Sequence, residues 1–114
     1  MGVRASARLL AAGATWRLTG NRAAGGALLT GVSAAGETER TIAAMQLVKA
    51  GDRSVPPVTD AVLTGRAPAE LIDVLASINT PAARVALTRV TETPTVPQST
   101  RAAAAAALRM LDRI

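Results

Sequence analysis

Two pairs of neighbouring carboxylates, Glu37/Glu39 and Glu70/Asp73, are the first places to look for chemistry in this sequence. Paired acids can divide general acid and base work or hold a hard cation. Here the first pair falls in the opening turn of an expected helix, and the second lies three residues apart on one helix face. Both placements suit the positive N-terminal end of a helix, so both pairs read as structural. The chain has no histidine, cysteine or tyrosine, so a nucleophilic triad lacks its usual base and a thiolate metal site is excluded. "GVSAAG", residues 31–36, lacks the G-x-S-x-G spacing and has no strand before it. Neither G-x-G-x-x-G nor a G-K-[ST] phosphate loop occurs. No catalytic, cofactor-binding or metal site is expected, and the chain reads as a non-enzyme.

Charge offers a different kind of site. The formal net charge is +5, with 13 bases against 8 acids. Residues 1–36 contain Arg4, Arg8, Arg17 and Arg22 and no acid, whereas 37–73 are acidic on balance and 74–114 basic again. Lys49 is the single lysine. A GC-rich coding bias produces the same excess of Arg and Ala. The alternative is that Arg22, Arg53, Arg84 and Arg89 align on one face and follow a phosphate backbone or an anionic surface. Asp52, Asp60 and Glu92 dilute that field, and only Trp16 could stack on a base.

The elements that would position these residues are helices. Phe and Tyr are absent and Trp16 is the only aromatic, whereas strands favour aromatic and β-branched residues. Alanine, the best helix former, dominates and runs unbroken from Ala102 to Ala107. The chain fits one domain. Leu71, Ile72, Leu75 and Ile78 recur at the spacing that makes one apolar helical stripe, as do Ile42, Met45 and Val48. Pro68 suits a first helical turn, and Pro94 and Pro97 isolate the last helix, with Ser99 or Thr100 as its expected N-cap. The N-terminal apolar stretch is too short to cross a bilayer, which takes about 20 residues. It is basic enough to be a presequence, but an ordinary first helix explains it as well.

Internal repetition organises these helices. Segments starting at Gly20, Gly51 and Asn79 read "GNRAAGGALLTG", "GDRSVPPVTDAVLTG" and "NTPAARVALTRVTET". Each opens with a turn residue and a capping side chain (Asn21, Asp52, Thr80) before an apolar helical pattern. Each follows an upstream helix-patterned stretch, and "STRAAAAAALRMLDRI" supplies a fourth. Approximate repeats are 5–33, 37–65 and 68–93, with a terminal helix over 98–114, giving about seven helices. Asp52 is expected to cap the helix after it; an anion at that helix start is the alternative, which the acid itself opposes.

At these residues the chain resembles the HEAT-like repeats, in particular the short type found in phycobilin-lyase-like repeat proteins. The shared pattern is an Ala/Leu-rich helix, a Gly-Asp turn, a basic residue and a helix opening on Val-Pro. "AAMQLVKAGDRSVPPVTDAV", residues 43–62, carries it most fully. Residues 71–90 replace Gly-Asp with Asn79-Thr80, and residues 15–31 interrupt the second helix with Gly25-Gly26. The resemblance implies an all-α, right-handed α-solenoid of about three and a half helical hairpins, armadillo-like in form, in a family mainly of scaffolds and adaptors. No catalytic residue is carried over.

The functional expectation is a cytoplasmic interaction module, adaptor or scaffold, binding a protein partner through its groove or its exposed apolar ends. Candidate contact residues are Arg22, Arg53, Arg84 and Arg89, together with Leu108, Leu111 and Ile114 on a C-terminal half-repeat that could also self-associate. Nucleic-acid or anionic-surface binding through the arginines is the alternative.

Overall fold

The left-handed backbone region is nearly free for glycine and costly for most residues carrying a Cβ. In the computed structural model, which describes residues 2–66 and 68–113, Gly20, Gly51 and Asn79 all occupy it, at φ of +67°, +61° and +48°. These are the residues that head the three aligned sequence segments. Asparagine tolerates this conformation better than other side chains, which accounts for Asn79 standing where two glycines stand earlier.

Seven α-helices are punctuated by such turns: α1 (Gly2–Thr19), α2 (Arg22–Val32), α3 (Glu37–Lys49), α4 (Val55–Leu63), α5 (Pro68–Ile78), α6 (Pro81–Glu92) and α7 (Gln98–Asp112). A short 3-10 turn, Gly51–Ser54, joins α3 to α4, and no strand occurs among the described residues. Two helix starts follow local chemistry as expected. Asn21 Oδ1 accepts the Ala24 N–H at 3.1 Å, and Thr80 Oγ1 accepts the Ala83 N–H at 3.2 Å.

Two expected caps are corrected. Asp52 does not cap α4; its carboxylate accepts a hydrogen bond from the Thr80 hydroxyl instead. Because Thr80 Oγ1 also takes the Ala83 amide, Asp52 reinforces the start of α6, one repeat onward. Helix α7 begins earlier than its expected Ser99 or Thr100 cap: Pro97 stands at the N-cap position and no side chain caps the helix. Arg101 Nε instead donates to the Val96 carbonyl at 3.0 Å, holding the preceding loop closed over the buried Val96 side chain.

Helix α1 packs on α3, α3 on α5, and α5 on α7, while α2 and α6 both touch α4. The even helices also pack against their odd neighbours, with the 3-10 turn mediating between α3 and α4. The result is two layers sandwiching Leu28, Leu47, Leu71, Leu75 and Leu87 with Val32, Val58, Val62, Val74 and Val90, all fully buried. The radius of gyration is 13.5 Å, close to the roughly 13 Å of a compact chain this long. Helix α5 touches α3, α4, α6 and α7, and its expected stripe is inward: Leu71, Ile72 and Leu75 are buried and Ile78 partly so.

The stripe on α3 is inward only in part. Ala43, Gln46 and Leu47 face the core, Ile42 and Val48 pack against its edge half-buried, and Met45 is 51% exposed. Small residues explain this orientation, because α3 sits very close to the first hairpin. A Cβ on Gly31 would lie 2.8 Å from both the Ala43 and Leu9 side chains. A Cβ on Gly25 would lie 2.9 Å from the Trp16 ring. One half of the Gly25-Gly26 pair is thus a packing requirement; Gly26 meets no heavy atom within 4 Å.

One polar chain crosses this apolar interior. Trp16 Nε1 donates to Ser54 Oγ at 2.9 Å, and Ser54 Oγ donates to the Leu47 carbonyl at 2.7 Å. Leu47 lies in the last turn of α3, whose carbonyls lack partners within the helix. No buried side-chain nitrogen or oxygen among the described residues is left without a partner.

Ser54→Ala would strand both the indole N–H and the Leu47 carbonyl, at an expected cost of about 2 kcal/mol or more. Urea denaturation followed by the fluorescence of Trp16 reads this directly. Gly26→Ala is expected to stabilise by about 1 kcal/mol, since an exposed helical glycine is replaced without contact. Gly31→Ala should destabilise in the same assay.

Candidate functional site

The arginines singled out from the sequence do not share one environment. Arg22 is the first residue of α2 and exposed. Arg53, in the 3-10 turn, is also exposed and lays its guanidinium against Gly20, two residues before Arg22. Arg84 is held by its own fold: Nε donates to Asn79 Oδ1 at 3.1 Å, Nη1 pairs with Asp112 at 3.2 Å, and Nη2 reaches the Leu111 carbonyl at 3.4 Å. Arg89 lies further along α6 and is exposed; with Arg84 it borders a shallow depression over Val85 and Thr88.

Two arginines outside that group are also structural clamps. Arg40 Nη1 donates to the carbonyls of Ala34 and Ala35 at 3.0 and 2.9 Å, closing the loop after α2. Arg101 does the same for Val96. Nothing in the local sequence marks these roles, because the acceptors are backbone carbonyls of irregular segments.

The C-terminal leucines are drawn inward. Leu111 is buried and Leu108 is half-buried against the core. Met110, 66% exposed, is the large apolar side chain that α7 presents outward. Ile114 lies outside the described residues.

The outer surface of the odd-numbered layer is concave. Between α3 and α5 runs an open groove of about 660 Å³. Its apolar lining comes from Val32, Ala44, Met45, Val48 and Val74, so two residues of the α3 stripe, Met45 and Val48, help to form its floor. Glu37 from the first turn of α3, and Glu70 and Asp73 from α5, bring one acid of the first pair and both of the second to this groove, with Arg40 and Lys49 on the α3 side. A second groove of about 510 Å³ separates α5 from α7 and is lined largely by alanines with Met110. Asp73 and Ser77 border both, making the outer edge of α5 a ridge between two apolar troughs.

Chemically this surface can hold apolar side chains and place cations against carboxylates. Among the described residues no group of acids is arranged to hold a metal ion, and no helix is long and apolar enough to cross a membrane. The residues missed from sequence are Ala44, Met45 and Asp73 as neighbours on one face. The available signal was that α3 carries apolar residues on two sides.

The Arg84–Asp112 pair is exposed on both partners, 41% and 71%, so Asp112→Asn should cost less than about 1 kcal/mol. Arg84→Met should cost more, because the bonds to Asn79 and Leu111 go with it; thermal denaturation of the two variants side by side checks the order. Comparison with known proteins returned no match to a family model, a curated protein or a solved structure, and the HEAT-like resemblance therefore rests on this chain's own residues.

Proposed function

We propose that this chain is a short, right-handed α-solenoid of HEAT-like hairpins acting as a non-catalytic interaction module, with a protein partner seated on the α3–α5–α7 face. Support for the solenoid comes from the alternating two-layer packing and from the left-handed residues repeated at Gly20, Gly51 and Asn79. The observation that carries the binding role is the exposed Met45 of α3. With the half-buried Val48 and Ala44 it lines an open groove at the edge of the core, and an exposed apolar concavity rimmed by polar groups marks an interaction surface.

Met45→Glu places a charge on the groove floor at a position already half in solvent, so the fold should survive within about 0.5 kcal/mol. Immobilised wild-type protein is expected to retain a specific protein from its native source that the Met45→Glu protein does not. Identical retained sets from the two would defeat the proposal.

A second reading has one observation in its favour: Arg53 is placed against the turn that precedes Arg22, giving two cations on the turn edge of the first two hairpins. Asp52 beside Arg53 and the Arg84–Asp112 pair weaken this field. Titration with DNA, RNA and anionic vesicles between about 50 and 200 mM salt separates the readings, since phosphate-dominated affinity falls steeply across that range.

A further inference from the structure

Helix α1 is amphipathic on both sides. Leu9 and Trp16 face inward, packed against α2 and α3. On the opposite side Ala7, Leu10, Ala11 and Leu18 are exposed and share one face at helical spacing, with Leu18 at 81% and Leu10 at 51% exposure. Arg4, Arg8 and Arg17 flank that outer stripe and are exposed too, and no acid occurs anywhere in residues 1–36. The side of α1 away from its neighbours is therefore a cationic, apolar strip running from Arg4 to Leu18, about 20 Å at helical rise.

The α3–α5 groove is its chemical complement. It offers Met45, Val48 and Ala44 as an apolar floor, and Glu37, Glu70 and Asp73 as carboxylates at its border. None of these three acids has an ion-pair partner among the described residues. Of the two cations on the same border, Arg40 is bonded to the loop carbonyls of Ala34 and Ala35, and Lys49 stands at the far end of α3 from Glu37. Helix α1 packs on α3 through its inner face, so its outer stripe is directed away from its own chain's groove and meets such a groove only on another molecule.

We propose that the chain self-associates, the outer stripe of α1 from one copy docking along the α3–α5 groove of a second. This rests on reading the groove as a protein-binding surface and names its occupant. The contact joins different patches on the two molecules, so repetition of it builds rings or open chains unless two copies exchange helices reciprocally. The overall +5 charge opposes approach at long range, but at about 0.1 M salt that repulsion is screened beyond about 10 Å, leaving the contact pairs to decide.

Charge exchange tests this. Sedimentation velocity of the wild-type chain at about 0.1 M salt should show average mass rising with concentration. Arg8→Glu sets an acid on α1 against Glu70, and Glu70→Arg sets a base in the groove against Arg8; both sites are exposed, and circular dichroism checks that each variant folds. Each alone should weaken association by roughly tenfold or more, whereas mixing the two variants restores it, because each supplies the partner the other needs. A wild-type chain monomeric at every concentration overturns self-docking, as do single variants that associate like wild type or a mixture that stays monomeric. The capture experiment with Met45→Glu stands apart from these results, since it asks whether the groove takes any protein at all.

Discussion

The bond from Trp16 to Ser54, and from Ser54 to the Leu47 carbonyl, sets the relation between the first hairpin and everything after it. Most of the rest of the interior is alanine, leucine and valine, side chains that pack by volume and accept many near-equivalent arrangements. A buried donor and acceptor have few partners and are costly unpaired. The indole thus fixes how α1 meets the α3–α4 turn. Gly25 follows from it, because the ring lies where a Cβ on α2 would otherwise stand. Close approach at Gly31 and Ala43 brings the small-residue face of α3 inward. The larger Met45 and Val48 are left to line a groove.

That sequence of constraints marks what was legible in the chain and what was not. Helix number, the three turns and the caps at Asn21 and Thr80 were readable because they depend on residues within a few positions of one another. A left-handed turn needs Gly or Asn where it occurs, and no distant contact alters that. Asp52 was misread for the opposite reason: its partner Thr80 lies 28 residues away, so nothing beside Asp52 reveals the bond. The α3 stripe was legible only in part. Periodicity identifies an apolar side of a helix, but α3 has two, and Gly31 on α2 is what lets the small-residue side approach.

The candidate site shares this dependence on distant elements. Glu37, Glu70 and Asp73 read separately as helix-start acids, and Glu37 and Glu70 do lie in a first turn, whereas Asp73 stands in the middle of α5. Only the stacking of α3 on α5 turns them into the border of one groove. The arginines changed meaning in the same way. Arg40, Arg84 and Arg101 hold backbone carbonyls, roles that depend on loop shape and leave no mark in residue spacing.

The side-chain bonds that join one hairpin to the next span 38, 28 and 28 residues, from Trp16 to Ser54, Asp52 to Thr80 and Arg84 to Asp112. Each closes a loop about one repeat long. Loop-closure entropy rises only with the logarithm of length, so the three closures carry nearly equal entropic cost and each draws on only about one repeat of chain. A hairpin leaving the ribosome can dock on its predecessor as soon as it is complete. The molecule is suited to assembly in the order in which it is made.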